Sequence, residues 1–520
     1  MGAGVSKEAG LPSWPELVDA LLQRVARVSD PFRTRQRDLR RKGTSDAEIE
    51  EALQREAATY ARWTVSTHGL LGAAAVVKAW LPPDDYLRAI ETCLYQPVTD
   101  GRVPLQPGPI ALQIAELWRT VGPLGLTVVT TNYDLLLERA LRAVGVSASE
   151  VATMTVEQPA VDPDKYAVIH LHGIVREPGE NSESVITDDP VLAEDEYYAV
   201  ERDPRAEARR QLCERLLSAG SSLFLGTSLT DPNLLSYLYQ SAAAHRSGSP
   251  RHFALTVKQS DQPPGIDVSA MVLTVGRETA DTRLGRMNVT ALAADFFCQN
   301  AQFLAEIRHR RRFGLRHVPH DERLQLWATQ AVARGILPHR EEAFLNHQPR
   351  LRGALAVTSN MIAELLDSKP SLRCPGERLA LHLWVYDPQD HSLVFIARSD
   401  QQFFNPATLE RQPIGMPVAR LVVEAVCSGA VLEASGDDLR SSRWRSMLVT
   451  PIVLGDECTL TGGAAAGYLP VGALVLASDQ DDPRGLGRLR DSPPERTHLV
   501  EVLARIGAVL LGTFQTEVSR

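Results

Sequence analysis

The chain has 520 residues, of which 44% are hydrophobic and 23% are charged. One hydrophobic core rarely grows beyond about 250–300 residues, so at least two domains are expected, and the composition is that of a globular protein. The formal net charge of -9 argues against broad nucleic-acid binding, because such binding normally requires a basic surface.

Further classes are excluded by the apolar runs and the cysteines. No apolar run reaches the ~20 residues that span a bilayer, and the N-terminus lacks the pattern of a signal peptide. The six cysteines include no CxxC pair, so neither a zinc cluster nor a disulfide framework is expected. These features predict a cytoplasmic protein with no membrane segment and no bound metal.

The first residues form a glycine turn, Gly2-Ala-Gly4-Val-Ser6. Such a turn normally follows a buried strand, yet only Met1 precedes it here. Either the sheet lacks its N-terminal strand, or the chain is truncated, or its start is misassigned. Residues 14–28 then predict an amphipathic helix with Ser13 as its N-cap, and residues 30–120 predict a helical insertion.

Short apolar runs next alternate with helical patterns. Buried strands are predicted at residues 126–129, 167–171, 222–225, 253–257 and 272–275, with helices at 134–144 and 205–218. This alternation predicts the α/β class, with a Rossmann-like, doubly wound parallel sheet. Ligands of such sheets bind beyond the carboxyl ends of the strands.

Four polar motifs lie at predicted strand-to-helix turns. In residues 2–6, glycines would let the backbone approach a phosphate at a helix N-terminus. Residues 130–134 (Thr-Thr-Asn-Tyr-Asp) and 225–234 (Leu-Gly-Thr-Ser-Leu-Thr-Asp-Pro-Asn-Leu) follow two other strands. Each motif taken alone is also explained as an ordinary capped helix start.

The remaining motif is His170-Leu-His172-Gly, at the end of a predicted strand. An imidazole with a pKa near 6.5 can accept a proton at cellular pH, so either histidine could serve as a general base. A satisfied core histidine is the plainer interpretation. A metal pair would need a third ligand, which the sequence does not offer.

The sequence pattern changes in the second half. Residues 313–370 predict a helical linker, and strands at 379–386 and 393–399 flank a turn, which predicts a hairpin. A helix at 420–426, strands at 447–453 and 471–478 and a final helix at 498–511 complete an α+β domain with an antiparallel sheet. His382 and Trp384 alternate on its first strand and would either face a ligand cavity or pack in the core.

The four motifs together resemble the bacterial sirtuin-like branch of the sirtuin superfamily. The matching segments are GAGVSKEAGLPSW, TTNYD, HLHG and GTSLTDPNL, and the resemblance covers residues 1–312. It implies an NAD site in which Asn132 places a water and His172 acts as the general base. The remaining implied cofactor contacts are Ala3, Gly4 and Ser6 at the phosphates, Thr131 and Asp134 near the nicotinamide ribose, and Gly226, Thr227 and Ser228 at the adenosine half.

Two departures separate this chain from protein-deacylating sirtuins. It lacks their paired zinc cysteines, and it lacks an arginine near Ser13-Trp14. The resemblance therefore implies an NAD+ nucleosidase that releases nicotinamide and ADP-ribose, as in sirtuin-like proteins of antiphage defence and abortive infection. A protein deacylase, an ADP-ribosyltransferase and a non-catalytic NAD- or nucleotide-binding regulator remain alternatives.

Residues 371–516 resemble a GAF domain. The matching pieces include LALHLWVYDPQDHSLVFIARS, WRSMLVTPIVLGDE and PVGALVLAS. This resemblance implies a sensor for a small-molecule or protein trigger that gates the N-terminal activity. A homo-oligomer is expected, because sensor-plus-effector proteins often work through assembly.

Overall fold

The computed structural model divides into two compact units, Met1–Thr256 with Thr274–Leu292, and Val257–Leu273 with Ala293–Arg520. The structure describes residues 1–99, 105–155, 162–178, 190–198, 204–227, 229, 231–244, 251–257, 282–294, 298–313, 320–372, 374–414, 420–436, 439, 443–454, 470–481 and 484–512. Each unit has its own hydrophobic core.

The first unit begins with a helical layer. Its helices are α1 (Gly4–Lys7), α2 (Trp14–Val28), α3 (Asp30–Arg41), α4 (Asp46–Trp80), α5 (Pro83–Thr99) and α6 (Pro109–Val121). Helix α2 has the predicted bounds. Its N-cap is Ser13, as predicted, and Ser13 forms a capping box with Glu16. Its apolar side packs against α4 and α5 in a shared core, so the predicted helical insertion is present.

Two three-stranded sheets follow. Strands β1 (Val128–Thr130), β2 (Val151–Thr155) and β3 (Tyr166–His170) pair in the order β1-β3-β2, all parallel. Strands β4 (Leu223–Phe224), β5 (His252–Val257) and β6 (Val289–Ala294) pair in the order β4-β5-β6. Between strands run α7 (Leu136–Ala143), α8 (Glu194–Tyr198), α9 (Pro204–Ala219) and α10 (Pro232–Ala244).

The α/β class with parallel strands is thus confirmed, but the sheet differs in detail from the prediction. Strands β2 and β6 were not expected from the sequence, and the strand predicted at 272–275 lies outside the described residues. The expected single sheet is divided into two, and the first residues of the chain lie between them.

Met1 and Gly2 make main-chain hydrogen bonds to both sheets. The Met1 nitrogen donates to the Val129 oxygen at 2.7 Å, and the Thr131 nitrogen donates to the Met1 oxygen at 2.9 Å. The Gly2 nitrogen donates to the Leu225 oxygen, just beyond β4, at 2.9 Å. The glycine turn is therefore held at the carboxyl ends of β1 and β4, where the motif pattern predicted a ligand site.

Gly226 allows the close contact between that turn and β4. It has a φ of +61°, and an added Cβ would lie 2.5 Å from the Val5 nitrogen. We expect Gly226→Ala to destabilise the first unit by roughly 3 kcal/mol, since backbone strain and steric overlap act together. Gly145→Ala is the matched control: φ is +91° there, but the site is open, so only about 1 kcal/mol is expected. Equal losses in thermal unfolding would contradict the role of the contact.

The second unit combines helices with one antiparallel sheet. The helices are α11 (Cys298–Phe313), α12 (His320–Ala333), α13 (Glu341–Asp367), α14 (Leu421–Ser428) and α15 (Pro493–Leu511). The strands are β7 (Leu379–Asp387), β8 (Ser392–Arg398), β9 (Arg411–Pro413), β10 (Leu432–Ser435), β11 (Ser446–Val453) and β12 (Pro470–Ser478), in the order β10-β11-β12-β7-β8-β9. Every adjacent pair is antiparallel, which confirms the predicted α+β pattern.

His382 and Trp384 lie within an aromatic cluster on this sheet. The His382 ring centroid is 5.3 Å from that of Phe395 and 5.6 Å from that of Trp444, and Trp384 stacks on Phe395. Burial, with a smaller contribution from nearby Arg398, lowers the pKa of His382 to about 4, so its imidazole is neutral at physiological pH. These contacts favour core packing over a ligand cavity.

Candidate active site

Two of the polar motifs, at residues 130–134 and 170–173, lie at the carboxyl ends of neighbouring strands in one sheet. Strands β1 and β3 are parallel neighbours, with Thr130 opposite His170. Just beyond the strands, the Leu171 nitrogen donates to the Thr130 oxygen at 2.8 Å. Asn132 and His172 therefore occupy equivalent positions, two residues past this pair, on adjacent loops. Both side chains are buried, at 8% and 4% exposure.

Ser6, Asn132 and Asp134 form a buried polar cluster. The Ser6 hydroxyl donates to Asp134 Oδ2 at 2.6 Å and accepts from Asn132 Nδ2 at 2.7 Å. Asn132 Nδ2 also donates to the Gly2 oxygen at 3.2 Å. Burial raises the pKa of Asp134, although the Ser6 hydrogen bond opposes this. The structure thus brings together the motifs at residues 2–6 and 130–134, which are far apart in the sequence.

This cluster fixes the orientation of the Asn132 amide. Its nitrogen is engaged by Ser6 and Gly2, so the side-chain oxygen is the atom that can position a water. Asp134 Oδ1 accepts from the Leu136 nitrogen at 3.1 Å at the start of α7. Asp134 therefore caps α7 with one carboxylate oxygen and accepts the Ser6 hydroxyl with the other, and its contact with the ribose stays a prediction.

His170 is a core histidine that holds the main chain of Asn132 by a hydrogen bond. Its side chain is fully buried, Nδ1 donates to the Asn132 main-chain oxygen at 2.9 Å, and Nε2 bonds Glu138 Oε1 at 3.0 Å. Thr153 donates to the same carboxylate oxygen at 3.0 Å. Burial alone would lower the pKa of His170, but the charge of Glu138 outweighs it and the pKa is raised. Of the two histidines, His170 thus has the structural role.

His172 is oriented by a carboxylate from another loop. Its Nε2 donates to Asp231 Oδ2 at 2.8 Å, and the Tyr197 hydroxyl donates to the same oxygen at 3.2 Å. Burial would raise the pKa of Asp231, but the hydrogen bond from His172, together with those from the Leu234 nitrogen and the Tyr197 hydroxyl, outweighs it and the pKa is lowered. His172 Nδ1 is buried and has no hydrogen-bond partner in the described part of the chain. A proton on Nε2 leaves Nδ1 as the acceptor atom of this imidazole.

Asp231 and Tyr197 were missed as site residues by the sequence reasoning. Asp231 lies within the motif at residues 225–234, after its threonine and serine residues. Its second carboxylate oxygen, Oδ1, accepts from the Leu234 nitrogen at 2.9 Å, so Asp231 also caps α10. Its position just beyond the end of a predicted strand was the available signal. Tyr197 lies on α8, outside the strand-to-helix pattern, and its signal was the resemblance of the segment Leu192–Tyr198 to the sirtuin-like branch.

The residues predicted to bind the cofactor's phosphates and adenosine lie close together, but much of their hydrogen bonding is internal. The Gly4 nitrogen donates to the Gly226 oxygen at 2.8 Å, and the Ser6 nitrogen donates to the Ala3 oxygen at 3.1 Å. The Thr131 hydroxyl donates to the Met1 oxygen at 3.2 Å, and the Thr227 hydroxyl accepts from the Leu229 nitrogen at 3.2 Å. Ser228 lies outside the described residues. Cofactor contact by these residues stays a prediction.

A buried carboxylate lies beside the first turn. Glu8 Oε2 accepts from the Ile110 nitrogen at 2.8 Å at the start of α6, and burial raises the pKa of Glu8 to about 8. Since the folded state then holds a proton that the unfolded state loses above about pH 4.5, stability falls as the pH rises from 4.5 to 8.

We expect Glu8→Gln to remove this part of the pH dependence, by up to about 1.4 kcal/mol per pH unit. Thermal unfolding of wild type and variant between pH 5 and 8 measures it, and the variant should gain stability relative to wild type as the pH rises. Glu16→Gln is the control, because the Ser13 hydrogen bonds outweigh burial and hold the pKa of Glu16 below its usual value. Parallel pH curves for wild type and Glu8→Gln would refute the expectation.

Metal ligands are not grouped at this site. Within the ranges that the structure describes, no three His, Cys, Asp or Glu side chains are arranged to hold a metal ion. In the same ranges, no helix is both long enough and apolar enough to cross a membrane.

Parts of the chain are similar to known proteins. Residues 126–268 match the family described as SIR2-like domain. The chain is 29% identical over 191 residues to the NAD(+) hydrolase ThsA of Bacillus cereus strain MSX-D12, a match over 35% of this chain and 36% of that protein. A free methionine-R-sulfoxide reductase from Neisseria meningitidis, solved with its substrate, is 18% identical, covers 31% of this chain and 80% of its own, and has a TM-score of 0.19.

The matched SIR2-like segment includes three of the loops that form the site, those after β1, β3 and β4. Asn132, His172 and Asp231 all lie within residues 126–268. The match to ThsA spans about a third of that protein's length. The first unit of this chain is thus similar to SIR2-like domains, in a mixed α/β fold with parallel strands.

Proposed function

We propose that the first unit is an NAD+ hydrolase that cleaves the bond between nicotinamide and ribose. The observation that carries the proposal is the imidazole of His172, oriented by Asp231 with Nδ1 left as an acceptor atom. It lies on the loop next to that of Asn132. The SIR2-like match and the similarity to an NAD(+) hydrolase support the same reaction.

The reaction requires the protein to orient the scissile bond and a water molecule and to supply one general base. As the bond from ribose C1′ to the pyridinium nitrogen breaks, its electron pair neutralises the nicotinamide, and the sugar gains oxocarbenium character. A water held by the Asn132 side-chain oxygen forms the new bond to C1′. His172 Nδ1 takes the proton of that water. Nicotinamide and ADP-ribose are released.

Incubation of the full chain with NAD+ tests the proposal, with nicotinamide and ADP-ribose quantified by chromatography. Equal amounts of both products in the absence of any other substrate are expected. Turnover only with an acylated peptide would establish a deacylase instead, and ADP-ribose linked to protein would establish a transferase. Binding of NAD+ without consumption would leave a regulator.

We further propose that the second unit is a GAF-like sensor that gates this activity in antiphage defence. Its antiparallel sheet and separate core support an independently folded module, and the sequence resemblance supplies the sensor role. NAD+ turnover by the full chain should rise when extract from phage-infected cells replaces extract from uninfected cells. Equal turnover in the two extracts would remove the gating proposal.

A further inference from the structure

Arg209 is a buried cation on the side of the site formed by α9 and α10. Its side chain is 8% exposed, and its Nε is buried without a hydrogen-bond partner. Within the described ranges no carboxylate lies within 4.0 Å of its guanidinium. A buried charge with no partner costs several kcal/mol, so its presence calls for a functional explanation.

The acidic groups around Arg209 are already engaged. On its own helix, Glu207 and Glu214 both bond the neighbouring Arg210, at 2.6 and 2.9 Å. Asp231, at the start of α10, accepts hydrogen bonds from His172 and Tyr197. Among the residues that the structure describes, Arg209 is therefore left without a carboxylate, although three acidic side chains lie on α9 and at the start of α10.

The helix geometry places Arg209 on the buried face of α9. Residues four apart share one face of a helix, so Arg209 lies on the face of Cys213 and Leu217. Both of these are buried in a cluster with Leu171, the residue between the two histidines, and with Tyr237 of α10. The positive charge of Arg209 opposes the rise in the pKa of Tyr197 that burial causes, so Arg209 acts on the residue whose hydroxyl bonds Asp231.

We propose that Arg209 binds the diphosphate group of the dinucleotide. A planar guanidinium with unused donors matches the oxygens of a phosphate, and such charge-assisted contacts are strong. The inference rests on the proposed function for the identity of its ligand. The diphosphate of a bound substrate would supply the negative charge that no carboxylate of the described residues provides to this buried cation.

Calorimetric titration with ADP-ribose and with adenosine tests this assignment. Arg209→Gln should weaken the binding of ADP-ribose by about 10- to 100-fold, the equivalent of a charged hydrogen bond. It should leave the weaker binding of adenosine, which has no phosphate, unchanged. Arg210→Gln is the matched control, because it removes an exposed, paired arginine from the next position of the same helix, and it should bind ADP-ribose as wild type does.

Thermal unfolding without ligand provides a second readout. Removal of an unpaired buried charge should leave Arg209→Gln at least as stable as wild type, so a loss of binding cannot be assigned to misfolding. Wild-type affinity for ADP-ribose in Arg209→Gln, or no binding of ADP-ribose by wild type, would overturn the inference. If Arg209-dependent binding is found but NAD+ is not consumed, the inference stands and the hydrolase proposal fails. If NAD+ is consumed with the same KM in wild type and Arg209→Gln, the reverse holds.

Discussion

His172→Ala is expected to lower kcat for NAD+ cleavage by roughly 10²- to 10⁴-fold, the usual contribution of a positioned general base. The reason is specific to one atom. Nε2 is committed to Asp231 at 2.8 Å, whereas Nδ1 is buried and unpartnered among the described residues. Without the imidazole, the site loses the base proposed to take the proton of the attacking water. Steady-state release of nicotinamide measures the effect.

The control for this loss is the other histidine of the motif. His170→Gln removes an imidazole that supports the Asn132 main chain and Glu138, so it should reduce stability and alter activity only through the position of Asn132. His172→Ala removes the partner of a buried carboxylate, so some loss of stability is expected, but the variant should stay folded at the assay temperature and be nearly inactive. Near-wild-type kcat in a folded His172→Ala protein would refute the assignment of the base.

Asp231→Asn is expected to reduce kcat by about 10²-fold or more with little change in stability. Asparagine caps a helix about as well as aspartate, so the α10 start should persist. The amide, however, can donate to Nε2 and so favours the tautomer with its proton on Nδ1, where it blocks the base. A comparable exchange beside a catalytic histidine costs about 10⁴-fold in kcat.

Tyr197→Phe separates this effect from a general disturbance of the group. It removes the 3.2 Å hydrogen bond to the same Asp231 oxygen while the ring can keep its contact with His172. A loss of less than about 10-fold is expected, since Asp231 and His172 remain paired. If Tyr197→Phe and Asp231→Asn reduce kcat equally, Asp231 does not act through the tautomer of His172.

The sequence was most informative where local patterns decide the structure. The apolar runs before residues 130–134 and 170–173 did become neighbouring parallel strands, and Ser13 did cap α2. Strand β2 was missed because Val151–Thr155 is a short run of mixed apolar and polar side chains, of which only the last two are buried. Periodicity alone does not separate such a segment from a loop.

Long-range pairing lay beyond what the sequence could predict. Ser6 meets Asp134 across 128 residues, and His172 meets Asp231 across 59. The sequence indicated that these side chains leave the same edge of a sheet, which is a property of parallel strands. Which oxygen meets which nitrogen depends on loop conformation, so the structural role of His170 and the orienting role of Asp231 emerged only from the fold.

The most direct test of the account is cleavage of NAD+ in water enriched in ¹⁸O by the full chain, Asn132→Ala and His172→Ala. We predict that wild type forms nicotinamide and ADP-ribose in equal amounts, with one ¹⁸O at ribose C1′, and that both variants are folded and nearly inactive. Full activity in both variants, or ADP-ribose without the label, would contradict a hydrolytic site built from these two loops.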